Sequence, residues 1–317
     1  MKPLNFALIG AGRFGKHYVR LLKNNKKARL AAVCTKTKES LNKILSSLPK
    51  YTIATTGLER VFADKKIDCA IVATPLSTHY KIAMKAINAG KHVLLEKPMA
   101  QSNSEAKKLS AAIKKSGKTF MVGHQYVYND NINHVKQLMK KKLFGKILSV
   151  KADHLYNWQR KDLGCFWDAG THHLAVIQYL FNPGKISEIS GSAKSVSGNF
   201  FDDTAEVSLK FENGLKANLF ISSASQQKSR KFIFAGEKIT AAFDDSKKPA
   251  LEIVRGSSHA KKIKISAKEP LKNELEHFMS CIHENKTPKT GIAESAIVTG
   301  WLVQISKKLK IRTKSKK

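Results

Sequence analysis

The chain has 317 residues, of which 42% are hydrophobic and 8% aromatic. This length is sufficient for two domains, and the composition is typical of a globular protein and excludes a disordered one. No apolar run approaches the roughly 18 residues of a membrane span. The short apolar stretch after Lys2 continues into a glycine turn, so we do not interpret it as a secretory signal and expect a cytoplasmic protein without a membrane partner.

The formal net charge of +33 raises the question of nucleic-acid binding. Only eight of the basic residues are arginines. Arginine is the residue that nucleic-acid-binding proteins favour for hydrogen bonds to base edges and for bidentate contacts to phosphates. The lysines are spread along the chain, and the one dense basic cluster, residues 307–317, contains no aromatic residue. We therefore expect no nucleic-acid partner. Two interpretations of the charge stay open: a solvated lysine-rich surface, or a positive field that attracts an anionic substrate or cofactor.

Four cysteines, Cys34, Cys69, Cys165 and Cys281, form no C-x-x-C pair. The first two lie in apolar runs, which indicates core residues of a protein from a reducing compartment. His277, Cys281 and His283 could ligate a metal from one helix, but no fourth ligand lies nearby in the sequence. An amphipathic helix that carries them incidentally explains them better, and we expect no metal.

The motif Gly10-x-Gly12-x-x-Gly15 follows the apolar residues 6–9 and precedes a helix-compatible segment, residues 16–23. This order is typical of a dinucleotide-binding turn. Gly10 permits the turn, Gly12 leaves room for a pyrophosphate, and Gly15 allows helix and strand to pack closely. The helix N-terminus would attract the phosphates. Glycines also occur in such turns for packing alone, so the motif does not decide the matter by itself.

Strand and helix patterns alternate as far as residue 122. Strand-like runs cover residues 29–35, 51–53, 67–73, 92–95 and 119–122, and helical patterns cover residues 38–48, 80–89 and 104–116. This alternation predicts a doubly wound parallel sheet with helices on both faces, an α/β dinucleotide-binding domain of residues 1–122.

The pattern changes after residue 122. A helical pattern (residues 130–142) precedes a run of strands at residues 147–156, 207–211, 215–221, 232–234, 239–243, 251–254 and 263–265, and two helices (residues 271–284 and 293–308) close the chain. Asn213-Gly214 is a strong hairpin signal. We predict that residues 123–317 form an α+β substrate-binding domain with an open, mainly antiparallel sheet. An exposed sheet face predicts self-association, as a homodimer or homotetramer.

Ligands of open α/β sheets bind outside the carboxyl ends of the strands. Thr74-Pro75, Glu96-Lys97-Pro98 and Gly123-His124 each follow a predicted strand. A lysine in such a place can be merely solvated, but its position at the strand end favours a catalytic or binding role.

Asp168 and His172 open a predicted helix and share one face, because they are four residues apart. This spacing allows a carboxylate to orient an imidazole that transfers a proton. It equally suits an aspartate that caps the helix beside incidental histidines, and the spacing alone does not choose.

The order of these motifs resembles the glucose–fructose oxidoreductase/inositol dehydrogenase/MocA family over essentially the whole chain. The resemblance rests on the glycine turn, Ala73-Thr-Pro75, Glu96-Lys97-Pro98-Met99-Ala100 and Trp167-Asp168-x-x-x-His172. It implies a Rossmann domain and an NAD(P)-dependent oxidoreductase of sugars, cyclitols or their derivatives. An acid that is common in the family three residues after this histidine is replaced here by Ala175.

The resemblance implies that Lys97 is the catalytic lysine, Asp168 its acidic partner and His172 the proton-transfer group. In the mechanism it implies, His172 takes the hydroxyl proton while Lys97 stabilises the developing charge on the same oxygen. The residues expected to bind the cofactor are Gly10, Gly12, Arg13, Phe14, Gly15, Thr35, Lys36, Thr74, Pro75, His79, Glu96 and Lys97.

A looser resemblance points to the UDP-N-acetylglucosamine 3-dehydrogenase branch of the family. It lies in residues 123–129, Trp167-Asp168, residues 269–278 and residues 285–288. It implies substrate contacts by Tyr128, Asn129 and Arg160 beside Lys97 and His172, with Arg160 suited to a diphosphate. A small anionic sugar is then the expected substrate.

The second strand bears on the choice of cofactor. NAD-binding chains place an acid about 20 residues beyond the glycines, where this chain has Thr35 followed by Lys36-Thr37-Lys38. A hydroxyl and two ammonium groups suit a 2′-phosphate, so we expect NADP to be favoured over NAD. The branch resemblance favours NAD and opposes this expectation.

Three alternatives remain at this stage. A cyclitol dehydrogenase or a biliverdin-reductase-like enzyme would use the same scaffold with another substrate. A cofactor-sensing regulator would keep the fold without catalysis, which the intact Lys97, Asp168 and His172 argue against.

Overall fold

A computed structural model describes residues 2–313 of the chain. These residues divide into two compact units. The first contains the chain up to Gly123 together with residues 274–296, and the second contains residues 124–273 and the chain from Ile297 onward. The order of patterns along the chain predicts two consecutive domains and does not predict that residues 274–296 return to the first unit. Residues 314–317 of the basic C-terminal cluster lie outside the described residues.

The first unit is built on a six-stranded sheet with the strand order β3-β2-β1-β4-β5-β6. Its strands are β1 (Leu4–Ile9), β2 (Ala28–Cys34), β3 (Ile53–Thr55), β4 (Cys69–Val72), β5 (His92–Glu96) and β6 (Phe120–Gly123). All pairs are parallel. The predicted doubly wound parallel sheet is therefore confirmed. The strand order reverses beside β1, and ligands of such sheets bind at this switch point, outside the carboxyl ends of the strands.

The helices that connect these strands are α1 (Gly15–Lys23), α2 (Lys38–Leu45), α3 (Leu58–Ala63), α4 (Leu76–Asn88) and α5 (Asn103–Ser116). The sequence pattern does not predict α3, whose six residues are too few to show a helical period. The pattern predicts that α4 begins at residue 80, four residues late, because Pro75 occupies the capping position and the helix begins directly after it.

The second unit contains an eight-stranded sheet with the strand order β14-β13-β12-β11-β7-β10-β9-β8. Its strands are β7 (Ile147–Asn157), β8 (Ile186–Lys194), β9 (Thr204–Phe211), β10 (Lys216–Ser222), β11 (Ala224–Gly236), β12 (Ile239–Asp244), β13 (Leu251–Arg255) and β14 (Lys261–Ile263). The pair β7–β10 is parallel and the other pairs are antiparallel, so the predicted mainly antiparallel sheet is confirmed.

The remaining helices are α6 (Asp130–Lys140), α7 (Thr171–Phe181), α8 (Pro270–His283) and α9 (Ile292–Lys308). A 3₁₀ turn, Gln125–Tyr128, precedes α6, and a π-helical turn, Phe166–Gly170, leads into α7. The sequence predicts one continuous helix from Phe166 and gives no sign of the π turn.

Burial alternates along the strands of the large sheet, as expected when one face packs on helices. Phe232 and Phe234 of β11 are buried, whereas Lys210 and Lys216 on β9 and β10 point away from the core. All four cysteines are free thiols and buried. Among residues 2–313, no helix combines the length and apolarity that crossing a membrane requires.

Candidate active site

The three glycines of the turn between β1 and α1 differ in the space around them. Gly10 has φ +90°, and a Cβ there would lie 2.5 Å from the carbonyl oxygen of Ala73. A Cβ on Gly15 would lie 2.2 Å from the carbonyl oxygen of Gly10. A Cβ on Gly12 would meet no atom within 4 Å among the described residues. Gly10 and Gly15 are therefore closed by backbone, while Gly12 faces open space.

The N-terminus of α1 adjoins this open space. Phe14 is its capping residue, and no side chain of the described residues caps the helix. The Lys16 and His17 amides donate to the carbonyls of Gly12 and Phe14, so this helix end offers an anion mainly the positive end of its dipole. The geometry fits the diphosphate of a dinucleotide, for which Gly12, Arg13 and Phe14 form the near wall.

The end of β2 carries the residues predicted to select the cofactor. Thr35 is buried, and its hydroxyl donates to the carbonyl of Thr37 at 2.9 Å. Thr37 caps α2 by accepting from the Ser40 amide. Lys36 is exposed, as is Glu39, a carboxylate in the first turn of α2 that the sequence reading did not consider. Hydrogen bonds from its own backbone amide and from Thr37 lower the pKa of Glu39.

Thr74 and Pro75 form the turn after β4, which His79 ties to the turn after β5. His79 is buried, with Nε2 at 2.8 Å from the carbonyl oxygen of Thr74 and Nδ1 at 2.8 Å from that of Pro98. Two ring nitrogens so occupied point to a role in holding the turns together. Sequence reasoning placed His79 only among the cofactor residues.

Glu96 and Lys97 lie at the carboxyl end of β5, where the predicted site requires them. The Lys97 amide donates to Glu96 Oε2 at 3.3 Å. Tyr18 of α1 lies beside Glu96 Oε1, and Glu274 of α8 lies beside Tyr18. Sequence reasoning missed both, because an amphipathic pattern assigns a buried tyrosine or glutamate to a helix face and not to a partner.

In the second unit, Asp168 lies in the π turn, a feature that is frequent at functional sites. The Tyr156 hydroxyl donates to Asp168 Oδ2 at 3.4 Å, and Arg160 Nη1 lies 3.7 Å from Asp168 Oδ1. Burial raises the pKa of Tyr156, and the charge of Asp168 raises it further, so the phenol stays protonated and can donate. Asp168 therefore has a hydroxyl and a guanidinium as neighbours.

Arg160 makes its main contact with a different acid. Its Nε and Nη2 donate to the two carboxylate oxygens of Asp162 at 2.9 and 2.8 Å. This bidentate pair uses the guanidinium N–H groups that would bind a diphosphate. Asp162 is therefore a local partner of Arg160 that the sequence analysis does not predict.

His172 is buried in the first turn of α7, within a cluster of rings. Its ring lies edge-on to Tyr126 at 5.1 Å and stacks with His154 at 6.4 Å between centroids. The adjacent His173 packs on Phe232, and burial lowers its pKa well below the usual value. His173 is thus a neutral core residue, while His172 lies among polar rings. Neither Tyr126 nor His154 was predicted, since no motif marks them.

Tyr128 and Asn129 follow the 3₁₀ turn in structural positions. Tyr128 is buried and its carbonyl accepts from Asn273. The Asn129 side chain caps α6 by accepting from the Asn131 amide at 2.9 Å. These contacts give Tyr128 a packing role and Asn129 a capping role.

In α8, two of the three residues considered as metal ligands contact each other. Cys281 Sγ lies 3.4 Å from His277 Nε2, which also accepts from the Lys289 amide at 3.1 Å. Burial lowers the pKa of His277 to about 4, so the ring is a neutral acceptor. Within residues 2–313, no three histidine, cysteine, aspartate or glutamate side chains are arranged to hold a metal ion.

Two family models match the chain. A model described as an oxidoreductase family with an NAD-binding Rossmann fold matches residues 4–124, and the GFO/IDH/MocA C-terminal domain matches residues 132–242. Together they cover most of the sequence. The chain belongs to the GFO/IDH/MocA oxidoreductase family, and the recognition of this family and of an enzyme from the sequence is confirmed.

Individual relatives are distant. The 2,7-anhydro-N-acetylneuraminate hydratase of Escherichia coli strain K12 is 28% identical over 256 residues, 76% of this chain and 68% of that protein. The UDP-N-acetylglucosamine 3-dehydrogenase of Acidithiobacillus ferrooxidans superposes with a TM-score of 0.86 at 21% identity, covering 96% of this chain and 97% of its own. A 3-ketoreductase from Actinomadura kijaniata in complex with TDP-benzene and NADP gives 0.84 at 16% identity, covering 96% of both chains. At these identities the two structural likenesses show the fold.

Proposed function

We propose that this chain, a member of the GFO/IDH/MocA family, transfers a hydride between a hydroxyl-bearing carbon of a sugar or nucleotide-sugar and a nicotinamide. The observation that carries the proposal is the open space at Gly12 beside the uncapped start of α1. Gly10 and Gly15 are closed by backbone, so the turn combines one vacant position with two that only glycine fits. That combination suits a bound diphosphate and is not needed for packing alone.

The bound dinucleotide would accept or supply the hydride at its nicotinamide ring. The chain's own residues would hold its diphosphate at the amides after Gly12 and its adenosine ribose at the end of β2. Thr74 and Pro75, held by His79, would line its path past β4. Glu96 and Lys97 would lie farther along the same sheet edge, after β5.

We assign the proton transfer to His172. Its burial among Tyr126 and His154 shields it from bulk water, which suits a group that exchanges a proton with a substrate hydroxyl. Asp168 would orient and charge-balance it, with Tyr156 and Arg160 fixing the carboxylate in turn. A purely structural role for Asp168, as the cap of α7, has less support because neither the π turn nor α7 has a side-chain cap among the described residues.

Lys97 would hydrogen-bond the reacting oxygen and stabilise its developing negative charge. Its place directly after β5, at the ligand-binding edge of the sheet, supports this role. Lys97→Ala and His172→Ala should each reduce kcat by about 100-fold or more while cofactor binding persists. Lys115→Ala and His259→Ala, both on exposed residues, are the matched controls. Full turnover in either active-site variant would refute its assignment.

We propose that NADP is preferred over NAD. Lys36 and Lys38 are exposed beside the end of β2, and Thr35 remains able to accept a hydrogen bond while its hydroxyl proton is directed to Thr37. Glu39 opposes this preference, but its carboxylate is engaged at the start of α2. Fluorescence titration of both reduced cofactors tests the proposal. Lys36→Glu should weaken NADPH by about tenfold and leave NADH nearly unchanged, whereas tenfold tighter NADH in the wild type would refute it.

For the substrate we propose a nucleotide-sugar, on the strength of the branch resemblance and the positive charge of the chain. Arg160 contributes less to this than the sequence suggests, because Asp162 occupies its fork. The decisive experiment incubates the enzyme with UDP-sugars, free sugars, cyclitols and 2,7-anhydro-N-acetylneuraminate under both cofactors. Net NAD(P)H is measured together with product analysis, since a hydratase that returns the hydride would leave no net NAD(P)H. Cofactor binding without turnover of any substrate would favour a regulator.

We further propose a cytoplasmic protein that self-associates through the outer face of its large sheet. The four free cysteines suit a reducing compartment. On this face Phe220 of β10 is 38% exposed. It pairs with Asp153 of β7, and Asp153 pairs on its other side with Lys231 of β11. A mixed apolar and charged surface of this kind suits a dimer contact. Light scattering should give a multiple of 35.2 kDa, reduced by Phe220→Glu but not by Val196→Glu on an exposed loop.

A further inference from the structure

Two glutamates and a tyrosine meet inside the first unit, directly beside Lys97. Tyr18 Oη lies 2.6 Å from Glu96 Oε1 and 3.2 Å from Glu274 Oε1. Tyr18 and Glu274 are fully buried, and Glu96 is 6% exposed. The second oxygen of Glu96 accepts the Lys97 amide at 3.3 Å. The three side chains come from α1, β5 and α8, so they are distant in sequence.

The space around the two carboxyl groups is closed. A Cβ on Gly123, at the end of β6, would lie 3.0 Å from Glu96 Oε1 and 3.3 Å from Glu274 Oε1. Both carboxyl groups therefore pack closely against Gly123, where a side chain would not fit without a shift. The two carboxyl groups are buried, so their positions are set by packing.

A count of hydrogens limits the protonation states. The Tyr18 hydroxyl has one hydrogen and two carboxyl oxygens within hydrogen-bonding distance. If it donates to the nearer oxygen, on Glu96, then Glu274 Oε1 faces the phenol oxygen and needs a hydrogen of its own. The other oxygen, Glu274 Oε2, is buried with no hydrogen-bond partner among the described residues. A buried oxygen without a hydrogen bond costs little free energy on a neutral carboxylic acid and much more on a charged carboxylate.

We propose that Glu274 is a neutral acid that donates to Tyr18, that Tyr18 donates to Glu96, and that this chain of hydrogen bonds fixes the turn that presents Lys97. Glu274 and Tyr18 are positioning residues: they reach Lys97 only through the Glu96 carboxylate and the Lys97 amide. The inference rests on the proposed function in one respect, namely that Lys97 acts in the reaction.

The electrostatics of the cluster agree with this arrangement. Burial raises the pKa of Glu274 well above its usual value, and the charge of Glu96 raises it further. Burial likewise raises the pKa of Tyr18, so the phenol keeps its hydrogen. The titratable groups that face Glu274 are Tyr18 from α1 and Glu96 from β5. Two neighbouring carboxyl groups in a closed site cannot both ionise without cost.

Enzyme kinetics test the positioning role. Glu274→Leu removes the donor, and we expect kcat to fall about tenfold, because an imprecisely placed catalytic group loses rate without losing its chemistry. Glu274→Gln keeps a donor of similar shape and should restore most of that loss. Glu276→Leu, on the same helix and only half-buried, is the matched control.

A double-mutant cycle separates positioning from general damage. In a Lys97→Ala background, Glu274→Leu should have little further effect on kcat, since the group that it positions is gone. Equal losses in both backgrounds would overturn the positioning role, as would an unchanged kcat in Glu274→Leu.

Thermal unfolding tests the protonation state independently of any activity. A folded-state pKa raised above the unfolded value stabilises the fold at low pH, and this stabilisation is lost as the pH rises through the folded pKa. The Tm of Glu274→Gln relative to the wild type should therefore increase by several degrees between about pH 5 and about pH 8. If no substrate is turned over, the proposed function fails while this measurement still decides the state of Glu274. A pH-independent difference would overturn the inference.

Discussion

Alanine substitutions at Gly12 and Gly15 should have opposite consequences, although the two residues lie in the same turn. At Gly12 a Cβ meets no atom within 4 Å, and the backbone φ is outside the left-handed region. Alanine there should leave the apo-protein as stable as the wild type or more stable by about 0.5 kcal/mol, because it reduces the entropy of the unfolded chain. The methyl group would occupy the space proposed for the diphosphate. We expect NADPH to bind about 10–100-fold more weakly, a loss of roughly 1.4–2.8 kcal/mol.

At Gly15 the same methyl group would lie 2.2 Å from the carbonyl oxygen of Gly10, so the strand and helix must separate. Overpacking of this kind costs about 2–3 kcal/mol, which corresponds to a Tm lower by roughly 4–12 °C for a unit of about 150 residues. Gly12→Ala thus loses ligand affinity at constant stability, and Gly15→Ala loses stability first.

The assay compares Tm without cofactor and NADPH affinity by fluorescence for both variants and the wild type. Gly12→Asn, with a larger side chain at the open position, should weaken NADPH further while the apo-protein stays folded. Wild-type affinity in Gly12→Ala would show that the open space does not hold the dinucleotide. An unchanged Tm in Gly15→Ala would contradict the packing argument.

Three further predictions concern single contacts. Tyr156→Phe removes the hydroxyl that donates to Asp168 and should lower kcat about three- to tenfold with cofactor affinity unchanged, measured by steady-state kinetics. The Tm should fall as the pH is lowered from about 7 to about 4. Burial lowers the pKa of His277 to about 4 in the folded protein, where the ring accepts from the Lys289 amide, so in this range the unfolded chain binds a proton that the folded protein does not. His277→Gln should flatten this slope. Burial opposes ionisation of Asp203, but hydrogen bonds from a serine hydroxyl and two backbone amides outweigh it and lower the pKa of this carboxyl. Asp203→Ala should therefore cost about 2–4 kcal/mol in urea unfolding at neutral pH, and progressively less as the pH falls through this lowered pKa.

The strands of the first unit and all of its connecting helices except α3 could be predicted because each is specified by a local pattern. The three glycines have distinct neighbours in the structure, as their positions in the motif imply. Lys97 could be located at the binding edge because a parallel sheet places the carboxyl ends of its strands together. α3 could not be predicted, since its residues (Leu58–Ala63) span less than two turns.

The parts of the site that sequence reasoning missed depend on contacts between distant segments. Glu274 reaches the cluster beside Lys97 from a helix near the end of the chain, and an amphipathic pattern gives a buried face without its partner. Tyr156 lies near Asp168 because a strand passes the π turn. Arg160 differs: its partner Asp162 is two residues away, so the pairing could have been found from the sequence by asking which local acid competes for the guanidinium.

The turn that carries Lys97 is held on both sides by residues from other elements. On one side, Glu96 accepts from Tyr18 and from the Lys97 amide. On the other, the Pro98 carbonyl contacts His79, whose second nitrogen faces the turn after β4. Because both supports are buried, the turn cannot shift without breaking a hydrogen bond inside the core, which is costly. The placement of Lys97 is therefore a property of the packed unit, so substitutions in α1, α4 or α8 should alter the reaction proposed for Lys97 without touching a ligand.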